Sequence, residues 1–200
     1  MLHKSQTKPF DPTGALVRVR DAIVAGKLGR DNLSARNVAR FLGLTTSVFY
    51  HHYGSFELFL YKVSITGLSV FADHLEPCVR ARSPLLRVAE VYIEYALTQP
   101  VLFDLMMTRE HPWAEIRERG LLDVTEGLRA WNLLIAAMRI EGSKNPLEDA
   151  RVFHSSIHGM ATLTRAGRMN IDDLEHTDRE VAARTAKRLV RVFRAWLRTT

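Results

Sequence analysis

The side chains with the most evident chemistry follow the short turn Leu42-Gly43-Leu44. Most of them carry hydroxyl or imidazole groups, which form hydrogen bonds to phosphate oxygens and to the edges of bases. The segment contains Thr45, Thr46, Ser47, Val48, Tyr50, His51 and His52. So many polar groups on one short helix are typical of a helix-turn-helix whose second helix enters the major groove of DNA.

Position along this second helix predicts two kinds of contact. Early residues of a recognition helix reach base edges, so we expect Thr46, Ser47 and Val48 to read sequence, the valine through a thymine methyl group. Other side chains are better placed to hold phosphates, which fixes register but carries little sequence information. We assign this phosphate role to Ser34, Thr45, Tyr50 and His52, and we place His51 in the same DNA-facing set.

The elements that must position these groups are all predicted to be helical. Good N-cap residues stand before four successive helices, at Asp11, Ser34, Thr45 and Ser55. Proline and glycine punctuation then predicts further helices over 56–75, 84–99, 100–107, 111–140, 147–169 and 177–198, with an irregularity near Gly120. No segment alternates with the period of two that a β-strand requires. The predicted class is therefore all-α.

Composition is that of an ordinary globular chain, with 46% hydrophobic and 25% charged residues. The net charge of +6 is unevenly distributed: residues 1–53 carry +5, residues 54–178 carry −5 and residues 179–200 carry +6. The basic N-terminal part coincides with the helix-turn-helix, as a DNA-facing surface requires. One cysteine, no signal peptide and no long apolar run predict a cytoplasmic protein without disulfides.

The segment from Ser34 to Leu58 resembles the signature of the TetR family of transcriptional regulators. The likeness lies in the run Tyr50-His51-His52-Tyr53 and in Glu57-Leu58, and it covers about an eighth of the chain. Phe56 departs from the pattern, because the family usually has a phosphate-binding lysine there. The resemblance implies a three-helix DNA-binding head at residues 1–54, a helical ligand-binding and dimerisation body at residues 55–200, and a guanine contact by Arg36.

The same resemblance implies a small-molecule pocket in the body. Aromatic, thioether and imidazole side chains are the candidates to line it. They are Tyr92, Tyr95, Phe103, Met106, Met107, Trp113, Trp131, Met138, His154 and His158. For each of them, simple core packing is the competing interpretation. His154 and His158 share a helix face, but they lack the glutamate of a zinc-protease motif, so we expect no metal and no cofactor.

The last two predicted helices are candidates for a homodimer interface. The final helix has a wide apolar stripe made of Val181, Ala182, Leu189, Val190, Val192, Phe193, Trp196 and Leu197. The helix before it offers the small residues Ser155, Ser156, Gly159 and Ala161. Two such helices from each subunit can form a two-fold four-helix bundle. Packing within one chain is the alternative.

These observations favour a homodimeric transcriptional regulator, expected to be a repressor of a near-palindromic operator that a small effector releases. Two other classes remain open at this stage. One is a non-specific architectural DNA-binding protein without a ligand, which would be indifferent to sequence and strongly salt-dependent. The other is a metal-dependent helical enzyme built on His154 and His158, which lacks a third ligand and a general base. We therefore expect no enzymatic activity.

Overall fold

The computed structural model describes residues 10–122, 124–173 and 175–198. Within these ranges the chain forms ten α-helices, one π-helical turn and no strand, which confirms the predicted all-α class. The elements are α1 (Pro12–Val24), α2 (Ala35–Leu42), α3 (Thr46–Tyr53), α4 (Phe56–Val79), α5 (Pro84–Thr98), α6 (Pro100–Phe103), the π turn (Asp104–Thr108), α7 (Trp113–Glu118), α8 (Val124–Ile140), α9 (Pro146–Arg165) and α10 (Asp178–Leu197).

The first four helices begin at the residues that the sequence predicts. The side chains of Asp11, Ser34, Thr45 and Ser55 each accept hydrogen bonds from backbone N–H groups two or three residues further along the chain. These bonds satisfy donors that a helix start otherwise leaves unpaired. Between α2 and α3, Gly43 has φ of 74°, which a residue with a side chain rarely adopts. Local chemistry therefore fixes the helix-turn-helix.

Helix α4 is the central element of the molecule. It packs against α1, α5, α8 and the π turn, while α5 packs against α9 and α10. One continuous cluster of buried side chains runs from Ala15 in α1 to Leu197 in α10.

The division of the chain into a head at residues 1–54 and a body at residues 55–200 stays a proposal. Among the described residues, no single helix has the length and apolarity of a membrane span, and α3 with α4 reaches them only as a pair bent by 65°.

Three predicted helix boundaries are wrong. The helix predicted over 147–169 ends at Arg165, and the chain turns at Gly167, whose φ is 64°. We expected α4 to end before Pro77, but it continues to Val79 with the proline inside its last turn. A proline this close to a helix end removes one hydrogen bond without stopping the helix. We also expected one helix over 111–140, whereas α7 and α8 are separate helices. The chain turns at Gly120, whose φ is 62°, at the position of the predicted irregularity.

Candidate nucleic-acid interface and body cavity

The outer face of α3 and the start of α2 present their polar groups to solvent. The nine residues predicted to contact DNA are all exposed on this surface. They are Ser34, Arg36, Thr45, Thr46, Ser47, Val48, Tyr50, His51 and His52. Val48 is 40% exposed and Tyr50 is 42% exposed. The His52 ring is braced by a neighbouring ring outside α3, since it lies 4.7 Å from that of Phe10. A convex, polar and accessible helix face is what the major groove can receive.

The inner face of α3 is held by an aromatic cluster, defined as Phe49, Tyr53, Phe56 and Phe59. The Phe59 ring centroid lies 5.0 Å from that of Phe49 and 4.7 Å from that of Tyr53. The Tyr53 hydroxyl donates a 2.9 Å hydrogen bond to the backbone carbonyl of Pro12 in α1. Burial, with the carboxylate of Asp11, raises the pKa of Tyr53 to about 12. Helix α3 is thus fixed to both α1 and α4.

Phe56 belongs to this cluster and not to the polar surface. Its ring is nearly parallel to that of Phe59, at 11° with centroids 6.3 Å apart, and its residue is half-buried. The usual lysine at this position would supply a charge for a phosphate, whereas phenylalanine supplies packing area. A phosphate at the start of α4 would therefore have to be held by backbone N–H groups or by other side chains.

A cavity of about 130 Å³ lies in the body between α4, α5, α8 and α9. At its polar end the Tyr92 hydroxyl lies 3.2 Å from Nε2 of His154 and 2.8 Å from Nδ1 of His158. A hydroxyl carries one proton, so it donates to one imidazole and accepts an N–H from the other. Burial raises the pKa of Tyr92 and lowers the pKa values of both histidines, which favours three neutral groups at neutral pH.

A line of contacts continues from this polar end towards the head. The Phe103 ring stacks on His158 at 13° and 5.9 Å, and the Arg165 guanidinium lies 5.4 Å from the Phe103 ring centroid. Arg165 also holds Asp104 through two hydrogen bonds of 2.6 and 3.1 Å. Arg30, between α1 and α2, reaches the same carboxylate at 2.5 Å.

Asp104 is therefore shared between a body arginine and a head arginine. Burial alone would raise the pKa of Asp104, but the hydrogen bonds and charges of Arg165 and Arg30 outweigh it and hold that pKa below its usual range. The carboxylate is therefore ionised at neutral pH. At that pH the ion pair between Arg30 of the head and Asp104 of the body is formed between two charged groups.

A comparison with models of protein families shows to which family this chain belongs. The model for the tetracyclin repressor-like C-terminal domain matches residues 85–193, which is more than half of the chain. The chain belongs to the TetR family. It is accordingly a transcriptional regulator with an N-terminal helix-turn-helix and a larger helical body. No curated protein sequence matches this TetR-family chain.

Several solved structures have the same fold as this TetR-family chain. A Rhodococcus sp. RHA1 protein of unknown function is 20% identical, with a TM-score of 0.65 over 94% of this chain and 98% of its own. The TetR family transcriptional regulator PfmR from Thermus thermophilus is 21% identical, with a TM-score of 0.57 over 88% and 97%. A putative transcriptional regulator from Pseudomonas aeruginosa PAO1 is 13% identical, with a TM-score of 0.56 over 97% and 97%. Identities this low establish the fold alone.

The TetR body brings together some of the ten predicted pocket residues and separates others. Those that line the 130 Å³ cavity are Tyr92, Met107, Trp131 and His154. Those in direct ring contact with that group are His158 and Phe103. The remaining four lie elsewhere: Tyr95 lines a separate groove beside His74, Met106 packs towards Gly67, Met138 is fully buried, and Trp113 is 45% exposed against Tyr61.

His154 and His158 do share a helix face, as the sequence predicts. However, their facing nitrogens meet the Tyr92 hydroxyl and not a third ligand. Throughout the described ranges, no group of three His, Cys, Asp or Glu side chains converges as a metal ion would need. The pair is thus part of a neutral hydrogen-bonded network.

Several residues important to this arrangement are absent from the sequence-based candidates. The apolar residues of the cavity lining cannot be distinguished by sequence from ordinary core residues. They are Leu68, Phe71, Leu75, Val88, Ala130, Leu134 and Ile157. Asp104 did carry a signal, because it is the only charged residue within the apolar run 101–107. A charge in such a run indicates a buried or half-buried partner. Its partners Arg30 and Arg165 are distant in sequence, and only the fold brings them together.

Proposed function

We propose that this TetR-family protein is a homodimeric repressor that binds a near-palindromic operator and is released by a small-molecule effector. The observation that carries the proposal is the division of α3 into two faces. Phe49 and Tyr53 anchor its inner face, while its outer face exposes hydroxyl, phenol and imidazole groups. A rigidly anchored helix with a free polar face can present the same hydrogen-bonding groups to successive base pairs.

In the proposed complex, different side chains have different tasks. Thr46, Ser47 and Val48 lie in the first turn of α3 and would contact base edges, and Arg36 at the start of α2 would contact a guanine. The groups proposed to hold phosphates are Ser34, Thr45, Tyr50 and His52, and His51 belongs to the same DNA-facing set. The Ser34 and Thr45 side chains already accept capping bonds, but each hydroxyl retains its proton for a phosphate oxygen.

The proposed dimer interface is the outer face of α9 and α10. Val152 and Leu163 in α9 are 51% and 45% exposed, and Val192 and Trp196 in α10 are 55% and 40% exposed. Gly159 lies on α9, and beyond its chain neighbours and the backbone of its own helix no atom of the described residues comes within 4 Å of where its Cβ would be, so another helix can approach closely. The stripe residues that face inward, in the core of the protomer, are Ala161, Ala182, Val190, Phe193 and Leu197. Both helices thus have a buried face and an exposed apolar face.

The proposed effector acts through the cavity and the contacts that connect it to the head. A ligand shifts an equilibrium only when it binds one state more tightly than the other. The contacts from Tyr92 through Phe103 and Arg165 to Asp104 provide a physical route by which a change at the cavity could alter the position of Arg30. In a dimer, a small change in each head alters the distance between the two recognition helices, which must match successive major grooves about 34–36 Å apart.

The test begins with selection of bound duplexes from a random DNA pool. Fluorescence anisotropy then compares the selected duplex with a shuffled one of the same composition, over a series of salt concentrations. The proposal predicts tighter binding to the selected duplex by at least about a thousandfold. Equal affinity for both duplexes, with the same steep loss as salt rises, would instead establish a non-specific architectural protein.

A further inference from the structure

We infer that the cavity binds a neutral compound of about one six-membered ring that carries a single hydrogen-bonding group, with phenol as its simplest form. In treating this compound class as the effector, the inference rests on the proposed function. The cavity lies beside Tyr92 and His154 and has a volume of about 130 Å³. An apolar protein cavity of roughly 150 Å³ is known to accommodate benzene. A two-ring compound would need the surrounding helices to separate.

The lining excludes charged ligands. None of its eleven residues is Lys, Arg, Asp or Glu, and the side chains with hydrogen-bonding groups among them are Tyr92, Trp131 and His154. A carboxylate or ammonium group placed there would lose its hydration without gaining an opposite charge, which is costly in an apolar site. Burial also disfavours the cationic form of His154. The site therefore offers hydrogen bonds without net charge.

The walls favour a flat ring over a branched aliphatic chain. Phe71 meets Tyr92 edge-on, with ring centroids 5.8 Å apart at 77°, and Trp131 meets His154 edge-on at 5.9 Å and 81°. Aromatic groups prefer such edge-to-face neighbours, and a bound ring can extend the pattern. Leu75, Val88 and Leu134 are buried in the same lining and supply aliphatic contact area.

The part of the cavity lining that is nearest to solvent includes Met107. Most lining residues are buried, but Leu68, Met107, Trp131 and His154 are half-buried. Met107 belongs to the π turn that begins with Asp104. Methionine is flexible enough to move aside for a ligand and to close over it. A ligand that enters here would contact the element that carries the head-linking carboxylate.

Calorimetric titration of the whole 200-residue chain with phenol, benzene and benzoate tests the inference. We expect saturable one-to-one binding of phenol, weaker binding of benzene and no binding of benzoate. Tyr92→Phe should weaken phenol about tenfold, because a hydrogen bond worth about 1.4 kcal/mol is lost, and should leave benzene unchanged. Tyr95→Phe is the matched control, since Tyr95 lies on the same helix and its buried hydroxyl has no hydrogen-bond partner among the described residues. It should preserve both affinities.

Three results would overturn the inference: no phenol binding to the wild type, an unchanged phenol affinity in Tyr92→Phe, or benzoate binding as tight as that of phenol. Thermal denaturation of each variant establishes that it is folded at the titration temperature. Operator affinity is measured separately with and without saturating phenol. Phenol binding that leaves operator affinity unchanged supports the ligand class and contradicts the proposed release mechanism, so the two failures are distinguishable.

Discussion

Arg30, in the connection between α1 and α2, forms a 2.5 Å ion pair with Asp104, the first residue of the π turn in the body. The two residues are 74 positions apart in the chain. Asp104 is held at the same time by two hydrogen bonds from Arg165 in α9. One carboxylate thus joins the DNA-binding head to the helix that also carries the cavity histidines.

The three members of this ion-pair group should contribute unequally to stability. The Arg30 side chain is 71% exposed, whereas those of Asp104 and Arg165 are 29% and 18% exposed. We expect Arg30→Gln to lower the free energy of unfolding by less than about 1 kcal/mol, as for most exposed pairs. Asp104→Asn should lower it by about 1–3 kcal/mol, because the half-buried Arg165 loses its charged partner. Urea denaturation measures both values.

Arg87→Gln is the matched control for Arg30→Gln. Its side chain is 54% exposed and it pairs with Glu90 within α5, far from the head. We expect a similarly small loss of stability. If Arg30→Gln proved as destabilising as Asp104→Asn, the ranking by exposure would be incorrect.

Tyrosines 50 and 53 provide a paired test of the two faces of α3. Tyr50→Phe should weaken operator binding about fivefold to tenfold, since one phosphate hydrogen bond is lost, and should leave stability unchanged. Tyr53→Phe should lower the free energy of unfolding by about 1 kcal/mol, since its bond to the Pro12 carbonyl is lost. Anisotropy and urea denaturation separate the effects. If Tyr53→Phe weakened operator binding and Tyr50→Phe lowered stability instead, the assignment of the DNA-facing side of α3 would be incorrect.

Charge introduced into the α9–α10 face should disrupt the proposed dimer. Leu163→Glu places a carboxylate in an exposed apolar stripe, where burial against a second copy would cost several kcal/mol. We expect a monomer in sedimentation velocity at micromolar concentration. Ile171→Glu makes the same kind of change at a residue that is 73% exposed and outside both helices, so it should stay dimeric. A Leu163→Glu variant that remained dimeric would place the interface elsewhere.

The half-buried histidine pair His154 and His158 should make the protein less stable in acid. Burial lowers the pKa values of His154 and His158 below the ordinary 6.5, so below that pH the unfolded chain binds more protons than the folded chain. The contribution of the two histidines to the free energy of unfolding is therefore present above pH 6.5 and is lost as the pH falls. We expect the free energy of unfolding to fall between about pH 7.5 and about pH 5.5. The double variant His154→Gln, His158→Gln should show a shallower fall.

His51→Gln, on the exposed face of α3, is the control for this pH experiment and should retain the wild-type fall. The neighbouring charge of Arg165 acts in the same direction on His158, because it also disfavours the imidazolium. Equal slopes for the wild type and the double variant would show that other groups determine the acid sensitivity.

The parts of this structure that are set locally could be read from the sequence, and the parts set by tertiary packing could not. Ser34, Thr45 and Gly43 act on residues within one turn of themselves, so the helix-turn-helix was predictable in detail. Trp113 could not be placed in this way. Its residue type is typical of a ligand pocket, but it lies in α7 and is 45% exposed. The cavity depends on the way α4, α5, α8 and α9 meet, which no periodicity within one helix specifies.

Hydroxyl-radical footprinting on a selected operator tests the central claim, that two copies of α3 enter DNA together, most directly. We predict two protected half-sites related by two-fold symmetry and centred about one helical turn, or a whole number of turns, apart on one side of the duplex. Arg36→Ala should lose protection equally in both half-sites. A single continuous protected tract without symmetry, or no sequence-dependent protection by a stable dimer, would contradict the account.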